Sequence, residues 1–175
     1  SQITATTQFA TFGAMSNATI PGTANTHAAI PFANAAYDAT VEVTFGTGTD
    51  PATSYTIAST ADDLLSVLWY ISDDIQIDAV HAFAGTGTNN NATLDFHLMS
   101  YDIVLDNSST SGDLSNGLVV ADGADISSLG YEQIYYQSMS IDSTNKNVDR
   151  GKVCLFFMSA SSNTPKQAVT ATIKY

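Results

Sequence analysis

Apolar and polar residues alternate along most of this chain. Val41, Val43 and Phe45 share one face of a run, Tyr55 and Ile57 follow, and Ile75, Ile77 and Ala79 make a third. Leu94, Phe96 and Leu98 point one way while Asp95, His97 and Met99 point the other. Tyr131, Gln133, Tyr135, Gln137, Met139 and Ile141 form one row of a long run. Val169, Ala171, Ile173 and Tyr175 close the chain opposite Thr170, Thr172 and Lys174. A period of two marks a strand with one buried face, so the pattern predicts about eight to ten strands. Residues 61–70, ADDLLSVLWY, are the one predicted helix. Thr60 would cap it, and Asp62 and Asp63 would sit in its first turn, where the helix dipole favours acids.

Turn residues divide these runs. GTGTDPATSYTIAS starts at Gly46 and GTGTNNNATLDFHLMS at Gly85, each after an apolar strand. Glycine, Asn and Asp accept positive φ, so both segments predict hairpins of one sheet system, with His81 and His97 as neighbours if the arms of the second one pair. The polar stretches 106–117 and 142–149 read as surface loops. Many short strands, dense turns and at most one short helix indicate an all-β antiparallel β-sandwich, jelly-roll-like, with a closed barrel as the rival. Residues 1–36 lack a charged side chain apart from His27 and carry spaced anchors such as Ile3, Phe9 and Phe12. Pro21 and Pro31 break any helix there. This segment is read as an extended N-terminal arm or strand, too apolar to stay free, and 37–175 as a single sandwich domain. It should pack on its own body or on a neighbouring subunit.

Composition sharpens this picture. At 175 residues the chain can bury a full core without disulfides. Only 13% of its residues are charged, about half the usual share, and small polar residues fill the gap. The formal net charge is −12. Nucleic acid and anionic lipid recruit Lys and Arg, so direct nucleic-acid binding is not expected, and no apolar run is long enough to span a membrane. No secretion signal is apparent at the N-terminus. All five cations, Lys146, Arg150, Lys152, Lys166 and Lys174, follow sixteen of the seventeen acids. An anionic body with a cationic end offers complementarity to an acidic neighbour.

Catalytic chemistry is sparse. The lone Cys154 sits in an apolar run and reads as a buried, inert thiol. His27, His81 and His97 lack metal-site spacing, and no phosphate loop or nucleophile elbow is present. Asp62 with Asp63, Asp73 with Asp74, and Asp102 near Asp106 are paired carboxylates that suit solvated turns, calcium, or acid–base work on a glycoside. Trp69 with Tyr70, or Tyr131, Tyr135 and Tyr136, would stack on sugars if exposed, although aromatics at strand spacing more often pack. The chain is therefore read as a non-enzyme, with calcium as the one candidate cofactor.

The segment TLDFHLMSYDIV at 93–104, followed by GDLSNGLVVA at 112–121, resembles small virion structural proteins of tailed phages, especially marine ones. The start SQITATTQF also resembles such proteins after loss of an initiator Met. That resemblance implies a capsid decoration or minor head protein, assembled in the host cytoplasm into the virion. Its expected partners are copies of itself as a homotrimer and the major capsid protein or another virion protein. Lys146, Arg150, Lys152, Lys166, Lys174, Phe9 and Phe12 are the candidate contacts. The alternative is a carbohydrate- or receptor-binding sandwich of a virion, with a glycosidase third.

Overall fold

The computed structural model describes residues 7–14, 20–22, 25–33, 35, 43–57, 61–86, 92–103, 113–162 and 164–175. One sheet joins β1 (Phe9–Ala14), β14 (Thr164–Lys174), β7 (Ala79–Thr86) and β10 (Gln133–Ser138) in that order, with β2 (Ile20–Gly22) also on β14. The second runs β11 (Ser140–Ile141), β9 (Leu114–Asp122), β8 (Leu94–Ile103), β13 (Lys152–Ala160), β3 (Thr26–Ala29) and β4 (Thr44–Thr47), with β5 (Trp69–Tyr70) also on β13. A small ribbon pairs β12 (Asn147–Val148) with β6 (Ile75–Gln76). Every pairing is antiparallel.

The order β1-β14-β7-β10 facing β9-β8-β13-β3 interleaves first and last strands as two nested Greek keys do, so the sandwich is a jelly roll. Between the sheets lies the main core. Phe12, Val80, Ala82, Val169, Ala171 and Ile173 come from the first sheet, and Leu94, Phe96, Leu98, Phe156 and Met158 from the second. The predicted rows Leu94, Phe96, Leu98 and Val169, Ala171, Ile173 face inward here. β1 is an edge strand of the first sheet, paired with β14, and Phe12, fully buried, packs 5.9 Å from Phe156 and 5.2 Å from Phe32, so this part of the N-terminal segment docks on its own body.

A second core covers the back of the second sheet. Met99, Tyr101, Leu155 and Phe157 point away from the first sheet and meet Val43, Phe45 of β4, Leu64 of the short helix and Val67 just after it. Both faces of β8 and β13 are therefore buried, as their unbroken burial between Phe96 and Tyr101 and between Val153 and Ala160 shows. Burial on both faces removes the polar outer side that period-two patterning implies.

Several expectations need correction. The helix is short: α1 spans Ala61–Leu65, and Trp69–Tyr70 already pair with β13. Ser66 Oγ donates to the Asp63 carbonyl at 2.7 Å, and the backbone N–H groups of Ser66 and Val67 close a tight turn on Asp63 and Leu64. Such side-chain competition ends helices. Thr60 lies outside the described residues. Neither GTGT segment makes the predicted hairpin. β7 and β8 belong to opposite sheets, so the chain crosses the sandwich between them, and Tyr55 bridges to Leu114 of β9 rather than to β4. Both edges of β7 are taken, by β14 and β10, which leaves no edge for β8. The long run 131–141 also divides, β10 joining one sheet and β11 the other, with the switch at buried Met139. Residues 114–117 of the predicted loop are strand β9, and 147–148 of the other are strand β12. Among the described residues, no helix is long and apolar enough to cross a membrane.

Candidate functional site

The histidines that lack metal spacing in sequence are separated by the fold into two environments. His81 and His97 are not neighbours, because β7 and β8 lie in different sheets. His81 is on the outer face of the first sheet, where its Nδ1 lies 2.7 Å from the Tyr136 hydroxyl and its ring stacks on Tyr136. His27 and His97 instead meet behind the second sheet, ring centroids 5.3 Å apart and nearly perpendicular, both essentially without solvent contact.

Register explains the pairing. On β8, residues 95 and 97 point away from the main core, and Asp122 of β9 lies directly opposite His97. Asp95 pairs with Ser159 of β13, beyond which lies His27 on β3. The turn after β4 folds over this row. Gly46 adopts a φ of 73°, a conformation glycine takes at no steric cost, and brings Gly48 and Asp50 onto the histidines. His27 Nε2 donates to the Gly48 carbonyl at 2.9 Å, and His97 Nε2 lies 3.3 Å from Asp50 Oδ1 and 3.1 Å from Asp122 Oδ1. On the other side of the ring, His97 Nδ1 is 3.7 Å from Asp95 Oδ2, while Asp95 Oδ1 accepts from the Phe96 N–H at 2.8 Å.

Electrostatics follow from burial. Desolvation pushes Asp95 up to about 6, against the His97 ring and the Phe96 N–H, which lower it, and with Asp122 and Asp125, which raise it further. Desolvation likewise lowers His27, which therefore sits neutral over the Gly48 carbonyl. A cleft of about 550 Å³, lined by Gly48, Thr49, Asp95, Asp125, Ser159 and Ser161 among others, opens from Asp95 to solvent.

The cationic end and the arm disperse over the fold. Arg150 is exposed, while Lys146, Lys152 and Lys174 are half-buried; the Lys166 side chain and residue Asp106 lie outside what is described. Lys152 donates to Asp102 Oδ1 at 2.5 Å, and this bond, with a second from Asn116, holds the Asp102 carboxyl below its ordinary range. The Arg150 backbone N–H donates to Asp74. Phe9 is 63% exposed, but Phe12 is a core side chain with no surface to offer a partner.

The aromatic candidates divide in the same way. Trp69 is buried, and Tyr135 is half-buried with its hydroxyl accepting from the Gly130 N–H; Tyr70, Tyr131 and Tyr136 are exposed. On the open face of the first sheet one register row carries Thr170, Phe83 and Tyr136, the last two rings 5.0 Å apart, and Ile134 stands in the next row. Phe83 is 45%, Tyr136 55% and Ile134 79% exposed, and Thr170 and Thr172 beside them are exposed too. Sequence alternation placed these residues on a strand face but could not show which sheet the rest of the chain would cover. The chain matches no protein-family model, no curated protein and no solved structure.

Proposed function

We propose that this chain is a virion structural protein that decorates or stabilises a capsid through subunit contacts, using the open face of its first sheet. The observation that carries this reading is the cluster of Phe83, Tyr136 and Ile134, large apolar side chains exposed together on a Thr-rich face without carboxylates among them. Contiguous apolar surface of this kind marks an interaction site. The jelly roll is a frequent architecture of viral shell domains, which agrees with the reading by analogy of fold alone. The exposed Arg150 would add electrostatic guidance toward an anionic neighbour.

Native mass spectrometry of the full chain, alone and with isolated shells, tests this. The expected result is a homotrimer or saturable shell binding, lost in a Phe83→Asp, Ile134→Asp double variant whose melting temperature is unchanged. A monomer that ignores shells, or assembly indifferent to the double variant, overturns it.

The alternative, a glycan-binding module, draws on a different place. A cleft of about 480 Å³ is lined by Tyr70, Asp73, Asp74, Gln76, Asp78 and Tyr175 among others, combining an exposed ring with carboxylate and amide acceptors. Saturable glycan-array binding lost in Tyr70→Ala would favour it. Trp69 is unsuited to that test, because it belongs to the main core.

A further inference from the structure

We propose that Asp95 and His97 Nδ1 bind a divalent transition-metal ion at the mouth of the cleft, with Asp122 and Asp50 holding the imidazole from its Nε2 side. Asp95, His97 and Asp122 together offer carboxylate and imidazole atoms that all lie within 4.8 Å of one another. Three features of the site point to a cation.

The first is the orphaned nitrogen. His97 is 1% exposed, and its Nδ1 is buried with no hydrogen-bond partner. Its Nε2 faces two carboxylates, Asp122 at 3.1 Å and Asp50 at 3.3 Å, which hold the ring from that side and turn Nδ1 toward the Asp95 carboxylate at the cleft.

The second is the distance. Nδ1 and Asp95 Oδ2 are 3.7 Å apart, beyond a hydrogen bond. Two ligands held at about 2.1 Å from one ion stand roughly 3.0 Å apart at a right angle and about 4.2 Å apart when opposite, so 3.7 Å lies within the range a shared metal sets. The third is the surrounding shell. Asp122 and Asp50 at Nε2 supply the carboxylate that orients a metal-bound imidazole, and the cleft at Asp95 gives ion and water an entry path.

Ligand chemistry selects the ion. Calcium and magnesium prefer oxygen ligands alone, whereas an imidazole with carboxylates suits zinc, cobalt or nickel. Zinc bound there would lock the His97 ring against Asp122 of β9 and Asp50 of the turn after β4.

The test is calorimetric titration of the full chain with zinc chloride and with calcium chloride, alongside cobalt(II) visible absorption. One zinc per chain is expected, weakened about tenfold or more in Asp95→Asn, with cobalt bands that vanish in the same variant. Asp95→Asn changes one partly exposed side chain to its isostere, so its fold can be verified by melting. His97→Gln should remove zinc binding as well. Absence of saturable zinc binding, zinc binding unchanged in Asp95→Asn, or calcium binding as tight as zinc and retained in His97→Gln would each overturn the assignment.

Discussion

His97 stands directly opposite Asp122 on the β8–β9 ladder, with Nε2 3.1 Å from the carboxylate Oδ1, and its ring is buried although Asp122 itself reaches solvent. Alternation marks this strand face as the solvent side, but His27 and His97 on it are buried, and buried polar groups must find partners within the protein. The neighbouring His27 does so by holding the turn at Gly48.

That contact can be measured. In His27→Phe a ring of similar shape stays in place, but the Gly48 carbonyl loses its donor. A loss of about 1–3 kcal/mol in denaturant unfolding is expected, with faster amide exchange confined to residues 46–50. A variant as stable as the parent would mean that water serves the carbonyl equally well.

Phe12 and Phe9 sit three residues apart on β1 with opposite fates. Phe12→Ala should cost about 3–5 kcal/mol, because it empties a fully buried site among Phe32, Trp69 and Phe156. Phe9→Ala should change monomer stability by no more than about 0.5 kcal/mol. Equal effects in thermal melts would contradict this placement of β1.

Gly117 has no room for a side chain. A Cβ there would come 2.5 Å from Tyr101 Cε1 and 2.8 Å from the Thr53 backbone, and Tyr101 is held by its hydroxyl donating to the Ala52 carbonyl at 2.8 Å. Gly117→Ala should destabilise by about 1–3 kcal/mol, read as a shift in urea midpoint. Tyr101→Phe in the same background should recover part of the loss by freeing the ring to move.

Burial pushes the Cys154 thiol up to about 12, with Lys152 pulling weakly the other way. The folded state therefore holds this proton more tightly than the unfolded chain, whose thiol titrates near 8.5. Its contribution to stability is complete below that value and is lost as pH climbs through about 12. Relative to the parent, Cys154→Ala should lose less stability between pH 9 and 11. Alkylation of the native thiol should proceed only as fast as the protein opens.

The inward rows of the fold were legible because Val169, Ala171 and Ile173, or Leu94, Phe96 and Leu98, alternate with polar residues whichever sheet they join. Sheet membership was not. Whether β7 pairs with β8 or crosses to the other sheet depends on partners such as β14 that lie far along the chain, and no local turn records that choice. The histidine cluster was hidden for the same reason. Asp95 and His97 are two apart on one strand, but Asp122, Asp50 and His27 reach them only through strand register and a folded-over turn. A buried polar face between two apolar rows is the one trace the sequence carries, and it looks the same as an ordinary solvent face. The split of run 131–141 was equally concealed, since a strand that changes sheets keeps its alternation.

The added layer of Val43, Phe45, Leu64 and Val67 makes the sandwich asymmetric: one sheet is roofed, and among the described residues nothing comparable covers Phe83, Tyr136 and Ile134 on the other. A contact between two copies through Phe83, Tyr136 and Ile134 would cover the exposed apolar side chains of both, so it would close on itself as a pair and would not propagate.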